Sequence, residues 1–354
     1  MPDFIITDRF FGGNILVEGI HGDHAFLHRD LRDSDHWFYW AFRVDGAAGR
    51  TITFTFPEDL LGYWGPAVSH NLMNWHWLEP EGYRAEPEDR RSFTYTFGKT
   101  ENSVYFAHDM LYHLEHFQQL DFLDISTLCL DRDGTPTPLG ALGEGEKIIL
   151  LTARHHACEG PAGYALEGVL REFCDVPLPG YRILSVPFVD MAGVAAGDPG
   201  KCRLPHDHNR DYIPNSIYPT ITAIKELLAK EKVTYVFDFH DPCHIGKGND
   251  YTRLVNAYAS MQEDMTRFSA LYAEETKKYT TGACFPFEDG KITWRDQPVT
   301  GTFSAYCGAL ESVEFVATVE LPYFGKQDRM MTQESFVATG RAFARALKRF
   351  IKKD

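Results

Sequence analysis

Three runs in this chain are apolar over most of their length: IILLT (148–152), VTYVFDFH (233–240) and VEFVATVEL (313–321). A strand with one face in water alternates apolar and polar residues, whereas a strand that is apolar throughout has to be covered on both faces. A further run, YRILSVPFV (181–189), and helical patterns at GPAGYALEGVLREF (160–173), PTITAIKELLAK (219–230) and from about Ser335 onward separate these segments. Apolar runs alternating with helices predict an α/β fold, a mixed and mostly parallel sheet with helices on both faces.

Residues 1–108 follow a different pattern. RTITFTF (50–56) and RSFTYTFG (91–98) alternate with the period of a half-buried strand, and HWFYWAFRV (36–44) and SVYFAH (103–108) are aromatic-rich strand candidates. Turn signals at DGAAG (45–49) and GKTEN (98–102) separate them. This spacing predicts an antiparallel β-sandwich over 1–108, followed by a second domain over 109–354 that opens with helical spacing in DMLYHLEHFQQLDFL (109–123). A length of 354 residues accommodates two such units. The stretch WGPAVSHNLMNWHW (64–77) reads as a long aromatic loop, either packing or the wall of a cleft.

Composition narrows the partners. A net charge of −15 argues against phosphate-backbone binding, so no nucleic acid partner is expected. The one basic cluster, RALKRFIKKD (345–354), suits the last turn of a helix. No apolar stretch reaches the roughly 20 residues that span a bilayer, and MPDFIITDRFFGG shows no basic segment leading into an apolar one. A cytoplasmic protein without a membrane partner is the expectation. Seven scattered cysteines without a CxxC pair predict reduced thiols; Cys158, Cys202 and Cys243 read as small fillers beside polar clusters.

Three polar clusters sit at the carboxyl ends of predicted strands, where open α/β sheets bind ligands. ARHHACEG (153–160) holds an H-x-x-E pair, His156 and Glu159, with His155 as a competing histidine. His240 ends VFDFHD, and Glu320 interrupts the apolar TVELPYFG. Two histidines and a glutamate form the open ligand set of a catalytic zinc, one per chain, with Glu320 left to act as base toward a water. Taken singly, each has a plain structural explanation.

Between the first two clusters lies VPFVDMAGVAAGDPGKCRLPHDHNRDY (186–212), loop-like and ending in D-x-N-R. With H-x-x-E after a core strand, D-x-N-R, a D-x-H strand end and a late strand glutamate in this order, the chain resembles the zinc carboxypeptidases of the funnelin type. The resemblance is strongest to the cytosolic carboxypeptidase subfamily and its bacterial relatives. GGNIL (12–16), RDLRDSDHWFYW (29–40), YWGPAVS (63–69) and SVYFAHDMLYHL (103–114) resemble the sandwich that precedes the peptidase domain there, so the likeness spans nearly the whole chain.

The resemblance implies a metallocarboxypeptidase acting on a peptide or protein C-terminus. It assigns the zinc to His156, Glu159 and His240, the general base to Glu320 and carbonyl polarisation to Arg203. It gives the grip on the terminal carboxylate to Asn209 and Arg210, and the orientation of the first zinc histidine to Asp207. Tyr306 is its candidate for the mobile substrate tyrosine, although its distance from Glu320 is not standard. DMAG (190–193) replaces the Asn-Pro-Asp-Gly loop, and the Arg203-to-Asn209 segment is short. His208 replaces an apolar residue, and His244 follows His240 closely; both read as polar lining. Two rivals stand beside this reading: an amidohydrolase acting on small N-acyl amino acids with the same zinc set, and a peptide-binding module that has lost catalysis.

Overall fold

The computed structural model describes residues 4–32, 34–79, 90–246, 248–278 and 284–353. An eight-stranded sheet runs in the order Asp124–Leu130, Pro136–Leu142, Tyr181–Val186, Lys147–Ala153, Val233–His240, Phe315–Glu320, Arg253–Tyr258, Ile292–Arg295. Its centre is parallel: Lys147–Ala153 pairs with Tyr181–Val186 and Val233–His240, which pairs in turn with Phe315–Glu320. Its flanks are antiparallel hairpin and return strands.

The period-two alternation of the apolar runs explains how both faces are covered. Ile149, Leu151, Phe237 and Phe239 face helices Pro161–Asp175, Gln262–Lys278 and Gln333–Lys352. Ile148, Leu150 and Val236 face helices Pro219–Lys230 and Phe303–Gly308. Helices Pro161–Asp175 and Gln333–Lys352 meet at two glycines. A Cβ on Gly168 would lie 2.0 Å from the Val337 carbonyl oxygen, and one on Gly340 would lie 1.9 Å from that of Ala165. Neither position accommodates a side chain without separating the pair.

In the front region, Ile5–Thr7, Ala41–Asp45, Ser103–Ala107, Ala67–Ser69 and Trp75–Trp77 form one sheet. Leu16–His21, His24–His28, Thr51–Thr55 and Ser92–Thr96 form the other. Phe42, Phe54, Phe93 and Phe106 fill the space between them. The expected all-antiparallel pattern is broken once, because His24–His28 runs parallel to Thr51–Thr55.

The aromatic stretch at 64–77 resolves as packing. Trp64 Nε1 donates to the Phe324 carbonyl at 2.8 Å and Trp77 Nε1 to that of Met331 at 2.6 Å, fastening the sandwich to the segment between strand Phe315–Glu320 and helix Gln333–Lys352. Within 109–123 only Leu114–Gln118 is helical. Conversely, the loop-like 186–212 contains helix Met191–Ala196 and a 3-10 turn at His208–Arg210.

Candidate metal centre

Register places the site. Ala153 is level with Phe239 and His240 with Glu320, so three central strands end together. Arg154 then takes a positive φ of 60°. Its buried guanidinium donates to the carbonyls of Ala157 and Tyr112, which folds the exit of the first strand over the sheet's end. That turn brings His156 and Glu159 toward His240.

All three side chains are buried, and their ligand-type atoms lie within 4.8 Å of one another. His156 Nδ1 is 2.8 Å from Glu159 Oε1, and His240 Nδ1 is 2.7 Å from Glu159 Oε2. The far ring nitrogens face carboxylates as well: His240 Nε2 lies 2.6 Å from Asp238, and His156 Nε2 lies 3.7 Å from Asp207. A carboxylate behind each imidazole is how metal-ligating histidines are oriented and made more basic. One imidazole nitrogen from each ring and a carboxylate, all turned inward, fit a divalent cation such as zinc.

The competing histidine is accounted for. His155 lies between Asp238 (2.8 Å from Nδ1) and the Tyr212 hydroxyl (2.8 Å from Nε2), and its ring stacks on that of His240. With both nitrogens engaged, it supports His240 from behind.

Electrostatics favour an ionised Glu159. Burial pushes its carboxyl up, but His156, Lys201 and His240 together outweigh burial and hold it well below the usual range. Burial likewise opposes the His240 imidazolium, and Asp238 and Glu159 overcome it, so that pKa lies well above the ordinary value. Asp207 is lowered to about 2, with His156 as the chief cause outweighing burial.

Glu320 sits on the rim, one strand over from His240. Arg253, its cross-strand neighbour, grips it through Nε at 2.7 Å and Nη2 at 2.6 Å. The cleft, about 270 Å³, has His156, Lys201, His240, Glu320, Asn209, Arg210, Arg253 and Arg295 among its lining residues. Asn209 Oδ1 accepts from the Phe303 backbone N–H at 3.0 Å. Arg210 Nη1 donates to the Asn209 carbonyl at 2.9 Å.

Two of the residues named from sequence lie elsewhere. Arg203 pairs with Asp190 at 2.9 Å and Asp198 at 3.0 Å and lines a separate hollow. The short segment to Asn209 turns it away, so the carbonyl-polarising role expected of it is not placed in this cleft. Tyr306 packs on Tyr212 with Lys225 over its ring and is not among the cleft's lining residues.

The cation that does reach the centre is Lys201, which sequence reasoning missed. Its Nζ is 2.8 Å from Glu159 Oε1 and 4.8 Å from the Trp37 ring centroid, so the front region contributes to the site. Burial opposes its charge, but Glu159 and Glu320 raise its pKa above the ordinary lysine value. No motif marks Lys201. Asp238 was legible, standing two residues before His240 in the D-x-H strand end.

No family model matches the chain. The uncharacterised protein ZMO1242 of Zymomonas mobilis is 27% identical over 188 residues; the match spans about half of each protein, 48% of this chain and 47% of the relative. Solved structures align along the whole length. A metallo-carboxypeptidase from Burkholderia cenocepacia matches with a TM-score of 0.78 at 18% identity, covering 99% of both chains. A metallo-carboxypeptidase from Pseudomonas aeruginosa, in complex with (2-guanidinoethylmercapto)succinic acid, matches with a TM-score of 0.74 at 16% identity, again over 99% of both. At these identities the likeness establishes the fold: this chain has the carboxypeptidase fold together with its front sandwich.

Proposed function

We propose that this protein is a zinc-dependent metallocarboxypeptidase that removes residues from the C-terminus of peptides or proteins. The observation that carries this reading is the inward convergence of His156, Glu159 and His240, each histidine backed by a carboxylate, at the level of Glu320. Bound there, zinc supplies a Lewis acid and a water that ionises near neutral pH.

The chain's own groups do the rest. The Glu320 carboxylate accepts the proton of the attacking water and returns it to the leaving amine nitrogen. The Lys201 ammonium, beside Glu159, stabilises negative charge developing on the carbonyl oxygen, the task that the resemblance implies for Arg203. Asn209 and Arg210 hold the substrate's terminal carboxylate, where a guanidinium fork is suited to bidentate contact. Beyond the pairs Lys201–Glu159 and Arg253–Glu320, Arg210 and Arg295 stand on the cleft wall, which favours an anionic final residue.

Metal analysis combined with a set of peptides differing only in the last residue tests the reading. One zinc at the centre and fastest release of Asp or Glu support it. Hydrolysis of small N-acyl amino acids without peptide cleavage would replace it with the amidohydrolase, and peptide binding without turnover would replace it with the binding module.

A further inference from the structure

A second cluster lies on the other side of the D-x-N-R turn. Three consecutive side chains there diverge: Asp207 faces His156, Asn209 faces His240 and the Phe303 backbone, and His208 faces a separate hollow of about 320 Å³. His208 is 1% exposed, and among the described residues neither of its ring nitrogens has a hydrogen-bond partner. Its nearest carboxylate, Asp190 Oδ2, is 3.6 Å from Nδ1, beyond hydrogen-bonding range. An imidazole buried with both nitrogens idle is costly unless something uses one of them.

What surrounds His208 suits a cation. A carboxylate oxygen of Asp131, one of Asp190 and a nitrogen of His208 lie within 4.8 Å of one another. The hollow's lining carries Asp131, Asp133, Asp190 and Asp198 against Arg132 and Arg203, leaving an excess of two negative charges. Space around the Asp190 carboxylate is kept open by glycine. A Cβ on Gly193 would lie 2.5 Å from Asp190 Oδ2, and one on Gly200 would lie 2.9 Å from it. Arg203 Nη1 lies 2.9 Å from Asp190 Oδ2 and its Nη2 3.0 Å from Asp198, and a carboxylate oxygen has lone pairs for both a guanidinium and an ion.

The geometry points to a second divalent-cation site, separate from the catalytic centre, built from Asp131, Asp190 and His208. One imidazole and two carboxylates suit a borderline first-row ion such as Zn²⁺ or Mn²⁺. An ion there ties the turn after strand Asp124–Leu130 to the cap of helix Met191–Ala196 and to the 208–210 turn. Because Asp207 and Asn209 flank His208, its role is structural: it fixes the segment whose two neighbouring residues face the catalytic histidines.

The experiment is equilibrium dialysis of the full-length chain against Zn²⁺, followed by metal analysis and thermal melts, for the wild type and for His156→Ala, His208→Leu and Asp131→Asn. The wild type should hold two ions. His156→Ala should lose one and His208→Leu the other, with Asp131→Asn weakening the second by at least about tenfold. Asp131 is only half-buried on a turn, so its variant keeps the test independent of core packing. Metal-free His208→Leu should melt no lower than the metal-free wild type, since an unpaired buried imidazole has been replaced by an apolar side chain, and it should lose part of the zinc-induced rise. A His208→Leu protein that holds as many ions as the wild type overturns the site, as does a wild type holding one ion or none. Loss of binding only in His156→Ala would leave the catalytic reading standing while removing this one.

Discussion

Glu314 and Glu320 stand six residues apart at the two ends of strand Phe315–Glu320, the first one residue before it and the second its last residue. At the amino end Glu314 is 56% exposed, 3.8 Å from Lys147, and accepts from the Tyr235 hydroxyl at 2.9 Å. At the carboxyl end Glu320 is 20% exposed, gripped by Arg253 and level with His240. Residue type is identical, so the difference comes from what other strands and their exit loops bring alongside. In a parallel sheet those exits gather at the carboxyl ends, where ligands bind.

The sharpest way to break this comparison is Glu320→Gln. If the carboxyl end holds the base, turnover of a peptide substrate should fall about 10²–10⁴-fold. Zinc content and melting temperature should stay close to the wild-type values, because Gln keeps the shape and an acceptor for Arg253. Near-normal turnover would place the base elsewhere.

Next in size is the terminal-carboxylate clamp. With Asn209 and Arg210 on the cleft wall, a free-acid peptide should be cleaved at least about tenfold faster than its C-terminal amide, since a hydrogen bond to a charged group contributes about 1.5–3 kcal/mol. Arg210→Ala should narrow that gap by slowing mainly the acid. Equal rates for acid and amide with the wild type would dismiss an exopeptidase.

A third effect is smaller and concerns acid. In metal-free protein Asp207, ordinarily near 3.8, titrates at about 2 in the folded state because His156 outweighs burial. Its stabilising contribution is therefore present above pH 3.8 and lost as pH falls through about 2, and Glu159 shifts in the same direction. His240, raised, contributes fully below its ordinary value near 6.5 and loses that contribution as pH rises from there through its raised value. Urea unfolding should show stability dropping on the acid side, with Asp207→Asn flattening the drop by about 2 kcal/mol. An unchanged pH profile in that variant would mean that Asp207 and His156 are not coupled.

How far the sequence went follows from the same contrast. Apolar runs predicted the central strands and flanking helices because burial on both faces leaves a mark on every residue of a strand. His156, Glu159, His240 and Glu320 were visible as polar interruptions at strand ends, and the structure brings them together. Arg203 and Lys201 were not separable: both lie in one irregular loop, and which cation turns inward depends on its path between Asp190 and Asn209, which no periodicity encodes. Arg253 was silent because it lies on a return strand, 67 residues before its partner Glu320. His208 was noticed only as a replaced apolar residue, since the sequence does not show that Asp131 and Asp190 lie beside it.

The smallest expected effect belongs to the opposite end of the strands. Glu314→Gln leaves an acceptor for the Tyr235 hydroxyl and removes a long, exposed pairing with Lys147. Exposed pairs of this kind contribute about 0–1 kcal/mol, and surface changes usually stay within about 0.5 kcal/mol. Unfolding midpoint, zinc content and turnover should therefore match the wild type within error. The control is useful because Glu314 and Glu320 share residue type and bracket the same strand, and they meet opposite ends of the neighbouring strands. A large loss of turnover from Glu314→Gln would mean that position along the strand does not decide function here, and the contrast between the two ends would fall with it.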